Sequence, residues 1–246
     1  MALMAQPYRR DDGTVHPPLL WPPYKSTVLR APAQPLVVLR HSLTELTGPL
    51  LGEGRVSEAD ADLTRRYSGG AVTGEAQGQR IIVHGQVRDE DGRAVPHTLV
   101  EVWQANAAGR YLHKNDQHDA PIDPNFTGAG RTLTDAQGRY RFVTIRPGAY
   151  PWGNHPNAWR PAHIHFSLFG RAFTQRLVTQ MYFPDDQLFP YDPIRQSVPN
   201  PEMRERMVAR FDIESTVDSW ALAYEWDIVL RGREATPRDD HEEDEP

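Results

Sequence analysis

The stretch Arg80-Ile81-Ile82-Val83-His84-Gly85-Gln86-Val87-Arg88, followed by Asp91-Gly92, sets the character of the chain. It is a short apolar run rich in β-branched residues, and an Asp-Gly pair favours a hairpin turn. Comparable runs recur at Leu99–Gln104, Tyr140–Ile145, His163–Phe169, Leu177–Phe183 and Tyr224–Leu230, with Gln137-Gly138 as a second turn signal. Short strands punctuated by turn residues predict an all-β fold, an antiparallel sandwich or barrel rather than parallel βαβ units, and the expected form is an antiparallel β-sandwich with long irregular loops and few short helices. One helix is predicted to interrupt it, with Asn200 as N-cap, Pro201 in the first position and Met203 to Phe211 following. No internal repeat is present.

Upstream of Arg80 the texture is different. Residues 1–79 are punctuated by proline at His16-Pro17-Pro18, Trp21-Pro22-Pro23-Tyr24 and Gly48-Pro49, which predicts an extended N-terminal arm lying over the core or over a partner. Ser57 stands three residues before Asp60, a capping-box start for a short helix that Gly69-Gly70 would end. The expected organisation is an arm over 1–79, a β-sandwich domain over 80–232 and a solvated, disordered acidic tail over 233–246.

The net charge of −6 is matched in full by the closing acids Asp239, Asp240, Glu242, Glu243, Asp244 and Glu245, so no basic face is implied. That argues against nucleic acid as a partner, because phosphate neutralisation needs clustered Lys and Arg. With no cysteine in the chain, any metal would be held by His, Tyr or carboxylates. Met1–Gly13 lacks the apolar core of a signal peptide and no later run approaches membrane-spanning length, so a soluble, cytoplasmic protein without a membrane partner is expected.

In Pro161-Ala162-His163-Ile164-His165-Phe166, strand alternation places both imidazoles on one face and Ile164 on the other, which is a metal-ligand spacing. By itself the pattern also suits two hydrogen-bonded strand histidines. The preceding segment, from Arg146 through Tyr150-Pro151-Trp152 and His155 to Trp159-Arg160, concentrates aromatic and cationic groups on a loop that feeds this strand. Loops over a rigid scaffold are where catalytic groups collect.

Further stretches carry a family pattern: Gly109-Arg110-Tyr111, Asp123-Pro124-Asn125-Phe126, Gly130-Arg131, Thr134-Asp135, Gly138-x-Tyr140-x-Phe142, Pro147-Gly148-x-Tyr150-Pro151-Trp152 and Trp159-Arg160-Pro161-Ala162-His163-Ile164-His165-Phe166. Together with Lys25-Ser26-Thr27 and Leu43–Pro49, they make the chain resemble the intradiol ring-cleavage dioxygenases from about Tyr24 to Gly232.

The resemblance implies one non-haem Fe(III) per chain, held by Tyr111, Tyr150, His163 and His165 with a water or hydroxide. Phenolate is a hard anionic donor suited to ferric iron, and a metal ion displaces the phenolic proton despite a free pKa near 10. Two phenolates and one hydroxide balance three positive charges. The implied substrate is a small aromatic diol cleaved by O2 between its two hydroxylated carbons. Tyr150 would be the ligand that leaves and serves as a base, and Arg160 would stabilise charge on the substrate ring. Tyr24, Trp152 and Ile194 would surround the substrate, Gln180 would lie on the oxygen side, and Trp103 would line the site. Tyr182 and His155 are read as structural, and His16, His41, His84, His97, His113 and His118 as solvent or hydrogen-bonding residues.

Within the family, the Pro-rich arm resembles the type in which a ligand-bearing β chain pairs with a homologous α chain and cleaves 3,4-dihydroxybenzoate. Catechol and hydroxyquinol 1,2-dioxygenases begin instead with a long helical segment, and remain the alternative. A reading of a different class is a β-sandwich binding module whose His-x-His holds zinc or nothing.

Overall fold

A computed structural model describes residues 14–37, 56–68, 71–169 and 176–239. His41, the Leu43–Pro49 stretch, Gly69-Gly70 and the acidic run after Asp239 lie outside the described residues. In chain order the elements are a helix α1 (Lys25–Arg30), a 3-10 turn (Glu58–Ala61), and strands β1 (Arg65–Ser68), β2 (Ala71–Glu75), β3 (Arg80–Arg88) and β4 (Leu99–Trp103). There follow β5 (Ala129–Leu133), β6 (Arg139–Ile145), β7 (Tyr150–Pro151), β8 (Trp159–Arg160), β9 (His163–Phe169) and β10 (Arg176–Tyr182). A second 3-10 turn (Phe189–Tyr191), helices α2 (Pro193–Ser197) and α3 (Pro201–Glu205), and strands β11 (Arg210–Val217), β12 (Ala221–Glu225) and β13 (Ile228–Val229) complete the described chain.

Two sheets carry the fold, as the sequence predicts. One is antiparallel, in the order β10-β9-β4-β5. The other centres on β3, which pairs antiparallel with β6 on one side and in parallel with β12 and then β13 on the other. These two parallel pairings depart from a purely antiparallel sandwich. The run Tyr224–Leu230 is split into β12 and β13 at Trp226-Asp227, where a Cβ at Gly85 would lie 1.8 Å from the Trp226 carbonyl oxygen. Glycine at that point lets the broken strand pass close to β3.

The inward faces of the sheets form one apolar core. Ile81, Val83 and Phe142 from one sheet pack in the same cluster as Val100, Val102, Ile164, Phe166, Leu168 and Met181 from the other. In β9 the residues from His163 to Leu168 are all buried, although their types alternate. Ile164, Phe166 and Leu168 face the core, so His163, His165 and Ser167 point to the opposite face, which must be covered by other parts of the chain.

That cover comes from loops, from α2 and α3, and from both ends of the described chain. Val15, Tyr182, Val198, Met203, Met207 and Ala235 form a second buried cluster there.

Several local expectations change. Asn200 caps α3 by accepting from Glu202 N at 2.9 Å, with Pro201 first, but the helix ends at Glu205 and Phe211 lies in β11. Tertiary hydrogen bonds end it: Tyr182 N donates to Met207 O at 2.7 Å and Ala209 N to Tyr182 O at 2.9 Å. The Ser57–Asp60 capping box forms, yet it opens only a 3-10 turn, after which β1 and β2 pair antiparallel. The Gln137-Gly138 turn leads from β5 in one sheet to β6 in the other, so it joins sheets rather than paired strands. Residues 235–239 are not a solvated tail, because Ala235, Thr236 and Asp239 are buried. Asp239 N donates to Val178 O at 2.6 Å and Thr179 Oγ1 to Pro237 O at 2.7 Å, which closes the open edge of β10.

Because Ile164 has no exposed surface and packs between the sheets directly behind the two histidines, Ile164→Ala is expected to lower stability by about 2–5 kcal/mol through loss of burial and the cavity left behind. Urea unfolding checks the value.

Candidate metal centre

Four aromatic rings converge on the outer face of β9. His163 and His165 come from the strand itself, Tyr150 from β7, and Tyr111 from the loop between β4 and β5. Their ring centroids close a circuit: Tyr111–Tyr150 at 5.1 Å, Tyr150–His163 at 5.5 Å, His163–His165 at 4.7 Å and Tyr111–His165 at 6.4 Å. The Nε2 atoms of the two imidazoles are 3.1 Å apart. Two nitrogen ligands about 2.1 Å from a shared ion and about 90–100° apart would be separated by about 3.0–3.2 Å. The spacing therefore fits one metal ion.

The tautomer of His163 follows from its neighbours. Its Nδ1 lies 2.7 Å from the Pro161 carbonyl oxygen, which can only accept, so Nδ1 carries the proton and Nε2 holds the lone pair. Trp103 stacks flat on His165, with centroids 4.9 Å apart and an interplanar angle of 3°. The stacking follows from register, since Trp103, His165 and Gln180 are direct cross-strand partners on neighbouring strands.

The two tyrosine loops are tied together through Asn106. Its Oδ1 accepts from Ala108 N and Arg110 N at 2.9 and 3.0 Å, while its carbonyl oxygen accepts from Gly109 N and Gly148 N at 3.0 and 2.9 Å. Gly109 has φ +77, and a Cβ there would lie 2.1 Å from the Ala149 carbonyl oxygen, so the Tyr111 loop can approach the Tyr150 loop only with glycine at this position. Buried Asp116 holds Tyr111 from the other side, accepting from its backbone N at 2.7 Å.

Arg160 is fully buried beneath the rings. Its Nη1 donates to His163 Nε2 at 3.0 Å and to Tyr150 Oη at 3.4 Å, the latter across the β7–β8 pair. Its Nη2 donates to Gln180 Oε1, to Tyr182 Oη at 3.1 Å and to Asp192 Oδ2 at 3.3 Å. A buried guanidinium is expensive unless paired, and Asp192, with no exposed side-chain surface, supplies the compensating charge. Asp192 Oδ1 also caps α2 by accepting from Ile194 N at 3.0 Å. Burial above all, and then the Asp192 carboxylate, pushes the Tyr182 hydroxyl well above the ordinary phenol range, with Arg160 opposing. Tyr182 is therefore a neutral hydrogen-bonding group.

Of the residues expected around a substrate, Tyr24 and Trp152 meet at 5.3 Å between centroids, and the Arg160 guanidinium lies 5.7 Å from the Trp152 ring. Gln180 sits against Arg160. Ile194 is buried at the start of α2, joined to this group through Asp192. Asn106 and Asp192 stand outside the residues that the sequence points to, Asp116 lies in a family-like stretch, Lys114-Asn115-Asp116, that names no ligand, and Tyr182 reads as structural. Asp192-Pro193 is a legible helix start, and Tyr182 shares the strand face of Gln180, but nothing local shows what either one touches. Away from the centre, His84 pairs with Asp212 at 2.9 Å, His118 Nδ1 lies 3.1 Å from the Gly109 oxygen, and His16 accepts from Arg238 N at 3.2 Å.

Comparisons with known proteins identify the family. A family model described as Dioxygenase matches residues 46–232, and one described as Protocatechuate 3,4-dioxygenase beta subunit N terminal matches residues 8–42. The protocatechuate 3,4-dioxygenase beta chain of Burkholderia cepacia is 58% identical over 92% of this chain and 94% of its own length. The protocatechuate 3,4-dioxygenase alpha chain of Pseudomonas putida is 31% identical over 82% of this chain and 97% of its own. Among solved structures, 3-chlorocatechol 1,2-dioxygenase of Rhodococcus opacus 1CP superposes with a TM-score of 0.53 at 25% identity, covering 71% of this chain and 65% of that one. With the family pattern matched across most of its length, the chain belongs to the intradiol ring-cleavage dioxygenases, a family of non-haem iron enzymes.

Proposed function

We propose that this chain is the iron-bearing β subunit of a protocatechuate 3,4-dioxygenase, which opens 3,4-dihydroxybenzoate with O2 between its hydroxylated carbons to 3-carboxy-cis,cis-muconate, a step of aromatic-compound catabolism by the β-ketoadipate route. The observation that carries this reading is the closed circuit of Tyr111, Tyr150, His163 and His165 around one point. These four side chains would hold one Fe(III), and the bound ferric ion would draw electron density from a chelated diol, making the ring reactive toward O2.

The chain's own residues have distinct tasks. Tyr150 would be one of the residues holding the ferric ion, and its phenolate oxygen, once released from the metal, would serve as base for one of the two diol protons. Arg160 Nη1, 3.4 Å from Tyr150 Oη, is placed to steady that phenolate and the negative charge on the ring. Gln180 and Asp192 hold the guanidinium in position. Tyr24, Trp152 and Ile194 shape the pocket. Trp152 Nε1, buried and without a hydrogen-bond partner among the described residues, offers a donor to a substrate oxygen.

An α-type chain, homologous to this one, would complete the assembly and part of the pocket, as the 31% identity to an alpha chain supports. No helix among the described residues is long and apolar enough to cross a membrane.

Purified with an α-type chain, the protein is expected to be red-brown from a tyrosinate-to-ferric band, and to cleave protocatechuate faster than catechol or hydroxyquinol. A colourless, zinc-containing protein would overturn the reading. His163→Ala should remove iron and activity together, as metal analysis would show, and full iron retention would exclude it as a ligand. Arg160→Ala should keep the visible band while kcat drops by about 10²–10³-fold, the cost typical of losing one charge-stabilising donor.

A further inference from the structure

His163 and His165 are supported differently behind their metal-facing nitrogens. His163 Nδ1 is fixed by a backbone carbonyl. His165 Nδ1 instead faces the carboxylate of Asp239, with Oδ2 at 3.8 Å, and both side chains are almost fully buried, at 2% and 1% exposure. That separation is an electrostatic contact, longer than a hydrogen bond. A second link reaches the same carboxylate, because Gln180 Nε2 donates to Asp239 Oδ2. The orientation of that amide is set at its other end, where Gln180 Oε1 accepts from Arg160 Nη2 and from Tyr182 Oη.

Asp239 comes from the C-terminal segment, far from the core motifs in sequence. It is brought in by the edge pairing of 237–239 along β10. A carboxylate buried at this depth needs a reason beyond closing a sheet edge, since backbone atoms make those bonds and an apolar side chain would avoid the desolvation cost.

We infer that Asp239 is a positioning residue for the metal centre. It holds His165 in the Nδ1–H tautomer, so that Nε2 keeps its lone pair for iron, and its negative charge makes that imidazole a stronger donor. The Arg160–Gln180–Asp239–His165 chain thereby links the guanidinium under Tyr150 to the imidazole on the far side of the circuit. The inference rests on His165 being an iron ligand, as proposed above.

The test uses the iron-loaded complex with its α-type chain. Asp239→Asn is expected to speed iron loss to a chelator by about 10–100-fold and to move the charge-transfer band to longer wavelength, because a weaker imidazole donor leaves the ferric ion more electron-poor. Asp239→Glu keeps the carboxylate and should restore both readings toward wild type. Thr179→Val removes only the Thr179–Pro237 tether and should leave the band in place.

An Asp239→Asn protein with wild-type iron release and an unmoved band overturns the inference, as does an Asp239→Glu protein that loses iron just as fast. If Asp239→Asn does not fold, the Glu variant decides alone: wild-type retention supports the inference and rapid loss overturns it. A wild-type protein that takes up no iron fails the ligand assignment itself, and does so before any variant is compared.

Discussion

Burial of β9 on both faces is the constraint on which the rest of the structure depends. A strand has a period of two, so one seven-residue segment presents Ile164, Phe166 and Leu168 to the core while presenting His163 and His165 to the opposite side. The core side locks the register, because a slip of one residue would exchange the imidazoles with apolar side chains on both faces. The same packing that stabilises the sandwich therefore fixes the spacing of the two nitrogens. Neighbouring strands inherit that register, which is why Trp103 and Gln180 flank His165 and Tyr182 flanks His163.

Covering the polar face of such a strand requires many groups to be satisfied away from water. The fold does this with loops whose hydrogen bonds converge on a few side chains. Asn106 ties the Tyr111 and Tyr150 loops together, Asp116 anchors the Tyr111 backbone, and Asp192 serves at once as a helix cap and as the counter-charge to Arg160. A buried guanidinium joined to a carboxylate, two phenols, an amide and an imidazole has few other arrangements open to it. The electrostatic cost of burying Arg160 is offset by a network that also orients the groups of the site. Tyr182 belongs to that network as a neutral hydroxyl, 5.7 Å between ring centroids from His163.

The sheet strands were legible where local pattern and tertiary context agree. β3, β4, β6, β9 and β10 follow the apolar runs closely. Legibility failed where long-range hydrogen bonds decide the outcome. The helix after Asn200 stops because residues 207–209 bond to Tyr182, and the stretch after Asp62 becomes a two-stranded sheet although its start reads as a helix cap. The acidic ending reads as solvated tail by composition, yet 235, 236 and 239 are buried, since the exposed edge of β10 offers unpaired backbone groups that this segment satisfies.

From the sequence alone came the all-β class, the face shared by His163 and His165, and, through family pattern, Tyr111, Tyr150 and Arg160 as companions. Those features depend on residue type and spacing within short segments, which the one-dimensional order contains. Only the tertiary structure decided that four rings from three separate segments close around one point, that Arg160 is wholly buried against Asp192, and that Asp239 stands behind His165. Each of these is a meeting of groups far apart in the chain, and their distances are set by sheet register and loop packing rather than by any local preference.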